Sequence, residues 1–185
     1  MDPTYTPFNP AVAGDLPDVT FDHLMGLPWL AVTPVRREYF MSDTPRTYAY
    51  KTYDGPRQYQ SAAYTRPVDA IRQALNLKLG AAFNVCFLSR YDTMKNHLGW
   101  HADDSPETDR GHPIAVVSFG AVREIWWKPK LHKGPVPAEW RQELGHGSLF
   151  VMPAGFQDEY LHRIPKGDRE RGVRISLTFR RYVGV

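Results

Sequence analysis

The chain has 185 residues, 42% of them apolar and 23% charged, with a formal net charge of +3. That is enough to bury one sizeable core and too little for two. No apolar run approaches the roughly 18 to 20 residues that span a bilayer, and the opening Met1-Asp2-Pro3-Thr4-Tyr5 lacks the basic and apolar segments of a secretory signal. The single cysteine, Cys86, excludes an internal disulfide, so a soluble protein of the cytoplasm, or of the nucleus in a eukaryote, is the expectation.

Residues 1 to about 20 carry several prolines and no apolar periodicity, and read as an extended arm. Phe21 to Leu30 fits a short helix opened by Asp18 or Thr20 and closed near Pro28. Val35 to Phe40 reads as a strand. From Ser42 to Thr65 aromatics interleave with cations, among them Arg46, Tyr48, Tyr50, Arg57 and Tyr59. Val68 to Leu79 follows Pro67, spaces Val68, Ile71, Leu75 and Leu79 as one helical face, and meets Gly80. Beyond it come short apolar or alternating runs: Asn84 to Tyr91, Gly99 to Asp103, Ile114 to Phe119, Val122 to Lys128, Ser148 to Met152, and Arg174 to Tyr182. Strands in succession without helices between them indicate a sandwich or jelly roll. Ala138 to Leu144 reads as a helical turn or an exposed loop.

On a strand, His101 and Asp103 share a face, and one further imidazole from a distant strand makes a two-histidine, one-carboxylate set with open metal positions. His162 is the candidate third ligand. Asp104, beside Asp103, belongs to the opposite face, and His97, His112, His132 and His146 have no carboxylate at ligand spacing. In the last strand Arg174, Ser176, Thr178 and Arg180 alternate with Ile175, Leu177 and Phe179. That polar face fits a solvent-facing strand, or an inward one whose arginines grip a dicarboxylate. Trp126 and Trp127, followed by Lys128, Lys130 and Lys133, fit a second nucleic-acid surface or a strand with one tryptophan in the core, and the core reading is preferred because adjacent strand residues face opposite ways. The cations Arg163, Lys166, Arg169, Arg171, Arg174, Arg180 and Arg181 suit a polyanion.

With His101-Ala102-Asp103, the distal His162 and the closing Arg174-Ile175-Ser176-Leu177-Thr178-Phe179-Arg180, the chain resembles the AlkB family of Fe(II)/2-oxoglutarate dioxygenases. Ser89-Arg90-Tyr91 stands where that family has Asn-x-Tyr. Ser89 and Ser176 replace asparagines, and Ser105 occupies a place that is acidic in many relatives. The resemblance implies a mainly β (α+β) fold: a double-stranded β-helix (jelly roll) core with N-terminal helices and a nucleotide-recognition lid. It implies a single domain over 1–185, with extension, lid and supporting helix in 1–80 and the catalytic core in 81–185.

It implies Fe(II) on His101, Asp103 and His162, and 2-oxoglutarate and O2 as co-substrates. Arg174 and Tyr91 would hold the distal carboxylate, Arg180 would help at the 1-carboxylate end, and Ser89 and Ser176 would lie beside them. The implied reaction is oxidative dealkylation of N-alkylated bases in single-stranded DNA or RNA, releasing aldehyde, succinate and CO2. Arg46, Tyr48, Tyr50 and Tyr59 of the lid and Asp104 would contact substrate, although lid tyrosines equally suit a hairpin covering the core. A monomer without a membrane partner is expected. The alternatives are an oxygenase of the same type acting on a protein or small molecule, and a non-catalytic metal-binding jelly roll that binds nucleic acid.

Overall fold

The computed structural model describes residues 2–7, 17–31, 33–52 and 55–184. Among them no helix is long and apolar enough to cross a membrane. The larger sheet has seven strands in the order β1 (Thr4–Thr6), β11 (Ser148–Met152), β8 (Ile114–Gly120), β13 (Arg174–Arg180), β6 (Val85–Tyr91), β2 (Arg37–Ser42) and β5 (Ala62–Ala63). A four-stranded sheet follows the order β10 (Arg141–Leu144), β9 (Arg123–Pro129), β12 (Tyr160–Ile164) and β7 (Leu98–His101). A separate hairpin, β3 (Thr47–Thr52) with β4 (Gly55–Gln60), occupies the Tyr/Arg-rich stretch. The two sheets form a jelly roll, and the larger one takes β1, β2 and β5 from the first 80 residues.

The outer face of the larger sheet is closed by helices α1 (Pro17–Met25) and α2 (Arg66–Leu79). Helix α2 starts around Pro67, whose missing N–H costs nothing in the first turn. It ends at Gly80 in the left-handed region (φ 58), whose N–H returns to the Asn76 carbonyl. The side chain of Thr65, at the N-cap position, is turned instead to His23 of α1, with Oγ1 3.0 Å from Nε2. Val68, Ile71 and Leu75 pack with Leu24 against Leu88, Val117, Ile175, Leu177 and Phe179. Helix α1 begins at Pro17, earlier than its apolar residues suggest, so Asp18 lies in its first turn and is not the cap.

Because β13 alternates, burying Ile175, Leu177 and Phe179 under the helices turns Arg174, Ser176, Thr178 and Arg180 inward. The inward reading of that face is the one adopted. Trp127 is buried and Trp126 half-buried, as adjacent strand residues require. The expected loop before Gly145 holds a short 3-10 turn (Ala138–Trp140) and then the edge strand β10. His162 lies on a strand, β12, that the mixed run Tyr160-Leu161-His162-Arg163-Ile164 does not announce. It is preceded by the one-turn helix α3 (Phe156–Glu159).

Candidate active site

His101 ends β7 and His162 sits in β12, directly opposite it in register, with ring centroids 4.1 Å apart. Asp103 is beyond the end of β7, so strand alternation does not place it. Two longer-range bonds do. Its backbone N–H donates to Gln157 Oε1 of α3 at 2.9 Å, and its Oδ1 accepts from Arg180 Nη2 at 2.6 Å. His101 Nε2 is then 3.7 Å from Asp103 Oδ1, and His162 Nε2 is 3.8 Å from Oδ2. One ligand atom from each residue falls within 4.8 Å of the others.

The protonation states suit a cation. Burial pushes both imidazoles down, His162 to about 3, with the neighbouring His101 adding to the effect there. Burial alone would raise the Asp103 carboxyl, but Arg180 and then the two histidines hold it at about 2. His101 Nδ1 lies 2.9 Å from the Gly99 carbonyl, which assigns the proton to Nδ1 and leaves the Nε2 lone pair facing Asp103.

Opposite this group, a polar row crosses five strands in register: Glu38, Ser89, Ser176, Ser118 and Ser148. All five are buried. Arg174, one inward position along β13, is 1% exposed. Its guanidinium lies 5.2 Å from the centre of the Tyr91 ring and donates from Nη2 to Ser118 Oγ at 2.9 Å, while Nε and Nη1 have no hydrogen-bond partner. Burial lowers its pKa to about 10, so it remains a cation. An under-bonded buried guanidinium is expensive unless an anion completes it. Arg180 is pulled the other way: burial alone would lower its pKa, and the Asp103 carboxylate raises it. Its Nη2 is committed to Asp103, so only its remaining N–H groups are left for a co-substrate carboxylate.

These groups share a cavity of about 1150 Å³ whose lining includes His101, Asp103, His162, Tyr91, Ser89, Arg174, Ser176 and Arg180. From the hairpin, Tyr48 and Arg57 reach the cavity wall. Arg46 is not on that wall and pairs with Asp43 at 3.8 Å. The backbone of Tyr50 is in β3, and its side chain lies outside the described residues. Tyr59 is 1% exposed and donates its hydroxyl to the buried Glu38, so it covers the core and has no face for a base. Asp104 lines the mouth, 3.4 Å from Lys130 Nζ. Four participants have no assigned role in the sequence reading: Gln157, Ser118, Arg57, and Arg36, which lines the cavity and is paired with Glu38. Of these, Arg57 carries a signal as a cation of the Tyr/Arg-rich stretch and Ser118 as a hydroxyl inside the apolar run Ile114 to Phe119.

The donor set fits the cofactors that the motifs imply: two neutral imidazoles and a carboxylate for a divalent metal, and a buried, incompletely bonded arginine for a dicarboxylate. The sequence model of the 2OG-Fe(II) oxygenase superfamily matches residues 30–180. The human DNA oxidative demethylase ALKBH2 is 35% identical over 118 residues, covering 62% of this chain and 45% of that protein. Its Arabidopsis thaliana counterpart is 33% identical over 132 residues, covering 61% and 41%. The human alpha-ketoglutarate-dependent dioxygenase alkB homolog 3 is 27% identical over 172 residues, covering 83% and 57%. The chain thus spans about half the length of the relatives it matches. Among solved structures, one titled "The structure of OsALKBH1" superposes with a TM-score of 0.66 at 14% identity, covering 98% of each chain, which is a likeness of fold.

Proposed function

Because the chain belongs to the 2OG-Fe(II) oxygenase superfamily, we propose that it removes alkyl groups oxidatively from ring nitrogens of bases in single-stranded DNA or RNA. The observation that carries this reading is one cavity holding the His101, Asp103 and His162 donors, the under-bonded Arg174, and hairpin residues Tyr48 and Arg57. The relatives named for DNA demethylation support the substrate class.

His101, Asp103 and His162 would hold Fe(II), and Arg174, with Tyr91 and Ser118, would take the distal carboxylate of 2-oxoglutarate. When bound, Fe(II) and 2-oxoglutarate supply the oxidising chemistry: O2 is consumed, 2-oxoglutarate leaves as succinate and CO2, and the N-bound carbon is hydroxylated and shed as an aldehyde. The protein's part is orientation. Arg180 keeps Asp103 ionised and aimed, Gly99 fixes the His101 tautomer, and the sheets exclude bulk water from the reacting carbon. Tyr48 offers a ring to an extruded base and Arg57 a cation to its phosphate.

The test is aerobic incubation with Fe(II), 2-oxoglutarate and an N-methylated oligonucleotide, measuring formaldehyde and succinate. One equivalent of each per methyl group is the expected result, lost in His101→Ala. Succinate without formaldehyde from any methylated nucleic acid would move the assignment to a protein or small-molecule substrate.

A further inference from the structure

Trp100, next to the ligand His101, lines the cavity and also begins a row of stacked side chains on the outward face of the four-stranded sheet. Lys128 Nζ lies 5.0 Å from the centre of the Trp100 ring. The Arg163 guanidinium lies 4.6 Å from Trp100 and 4.2 Å from Trp126, and that of Arg141 lies 4.1 Å from Trp126. Cation, ring, cation, ring, cation thus alternate across β7, β9, β12 and β10. Such contacts order long side chains that otherwise sample many rotamers.

The three cations of this row are not paired, although Glu124 and Glu143 share the face. Among the described residues, Lys128, Arg141 and Arg163 make no ion pair: Lys128 donates to the His132 carbonyl and Arg141 to that of Val136. The nearby Glu124 carboxylate accepts instead from Trp126 Nε1 at 2.9 Å. Two guanidinium groups share the Trp126 indole and neither is in an ion pair, an arrangement whose mutual repulsion a further anion would relieve. Each ring is engaged by two cations, so the row presents positive charge along its length.

We propose that this row is a track for the phosphodiester backbone of the strand whose alkylated base occupies the cavity, an inference that rests on the nucleic-acid reading above. A polyanion fits better than a lone anion because three cations lie in sequence, and the row starts at the wall where the base would enter. It would engage nucleotides flanking the one being processed, and so act on affinity and not on chemistry.

The experiment is fluorescence anisotropy of an unmodified single-stranded oligonucleotide on metal-free protein, over a range of salt concentrations. Each phosphate contact contributes about 0.7 to the slope of log affinity against log salt. The Lys128→Gln/Arg141→Gln variant should lower that slope by about 1.4 and weaken binding of a long oligonucleotide, while Arg141→Lys keeps the slope. Turnover of a methylated nucleotide too short to leave the cavity should be unchanged in the double variant. A ladder that only braces the sheet predicts an unchanged slope in the folded double variant, and that result overturns the track. Should the double variant fail to fold, Lys128→Gln alone, with an expected slope change of about 0.7, decides. An equal loss of slope on polyglutamate would mark a general anion surface and overturn the assignment to a nucleic acid strand. Absence of dealkylation together with the expected slope change would overturn the reaction and leave the track standing.

Discussion

Replacing Arg174 with methionine should move two quantities in opposite directions. The guanidinium is 1% exposed, donates from Nη2 to Ser118 and lies against Tyr91, and among the described residues it is paired with no carboxylate. Exchanging such a charge for an apolar side chain of similar volume is typically neutral or stabilising by about 1 to 4 kcal/mol, so the protein without 2-oxoglutarate should melt at the same temperature or higher. Truncating one partner of a buried charge pair costs about 2 to 5 kcal/mol of binding, and the lower half of that range already weakens 2-oxoglutarate by about a hundredfold.

The assay is a thermal melt of protein loaded with redox-inactive Mn(II), with and without 2-oxoglutarate at about one hundred times the wild-type dissociation constant. Wild type should gain about 2.7 kcal/mol, or roughly 5 to 11 °C for a chain of this size. Arg174→Met, binding a hundredfold more weakly, should gain only about 0.4 kcal/mol, or 1 to 2 °C. A variant destabilised by more than about 2 kcal/mol that kept its full 2-oxoglutarate shift would refute the reasoning, because Arg174 would then be a structural residue whose N–H groups need no ligand.

Further consequences concern stability and metal affinity. His162 is held neutral down to about pH 3 while its unfolded counterpart takes up a proton near pH 6.5. The unfolded state therefore binds more protons in that window, and metal-free stability should fall by about 1.4 kcal/mol per pH unit as pH drops from 6.5. Asp103, held at about 2, adds a loss in the same direction only below about pH 4; denaturant titrations of wild type and His162→Ala across pH 4 to 7 measure the difference. Gln157→Leu removes the acceptor for the Asp103 N–H and should weaken Co(II) binding by about 10- to 100-fold, read from the visible spectrum. Tyr59→Phe deprives the fully buried Glu38 of its phenolic donor and should cost about 1 to 3 kcal/mol of stability in denaturant melts, with smaller effects on nucleic-acid binding than Tyr48→Ala.

The strands of the roll were legible wherever one face is apolar and the other is not, and Arg174 to Arg180 is the clearest case because burial is decided residue by residue. The candidate metal donors are legible as residue types, but strand alternation does not place all of them. Alternation explains His101, whereas Asp103 is carried past the strand end and fixed by Gln157, 54 positions later, a contact that no local pattern encodes. Tyr48 and Tyr59 are direct cross-strand partners of one chemical type. Tyr59 is the one in the core, donating its hydroxyl to the buried Glu38, and nothing in residue type separates it from Tyr48. The polar row from Glu38 to Ser148 becomes visible only when five strands are laid side by side, since each contributes a single residue to it.

The position of β7 bears on how long the protein lasts. It is an edge strand of four residues, held on one side only by β12, and its pairing is interrupted by a register shift between His162 and Ile164. Peeling such an edge is cheaper than unfolding the roll, and it parts His101 from His162. Damage to the site and exposure of the chain after residue 101 to proteases are therefore one event. A metal ion held by both strands would close that seam by the free energy of its binding, so that loading the site would protect the chain from proteases as well as serve the proposed reaction.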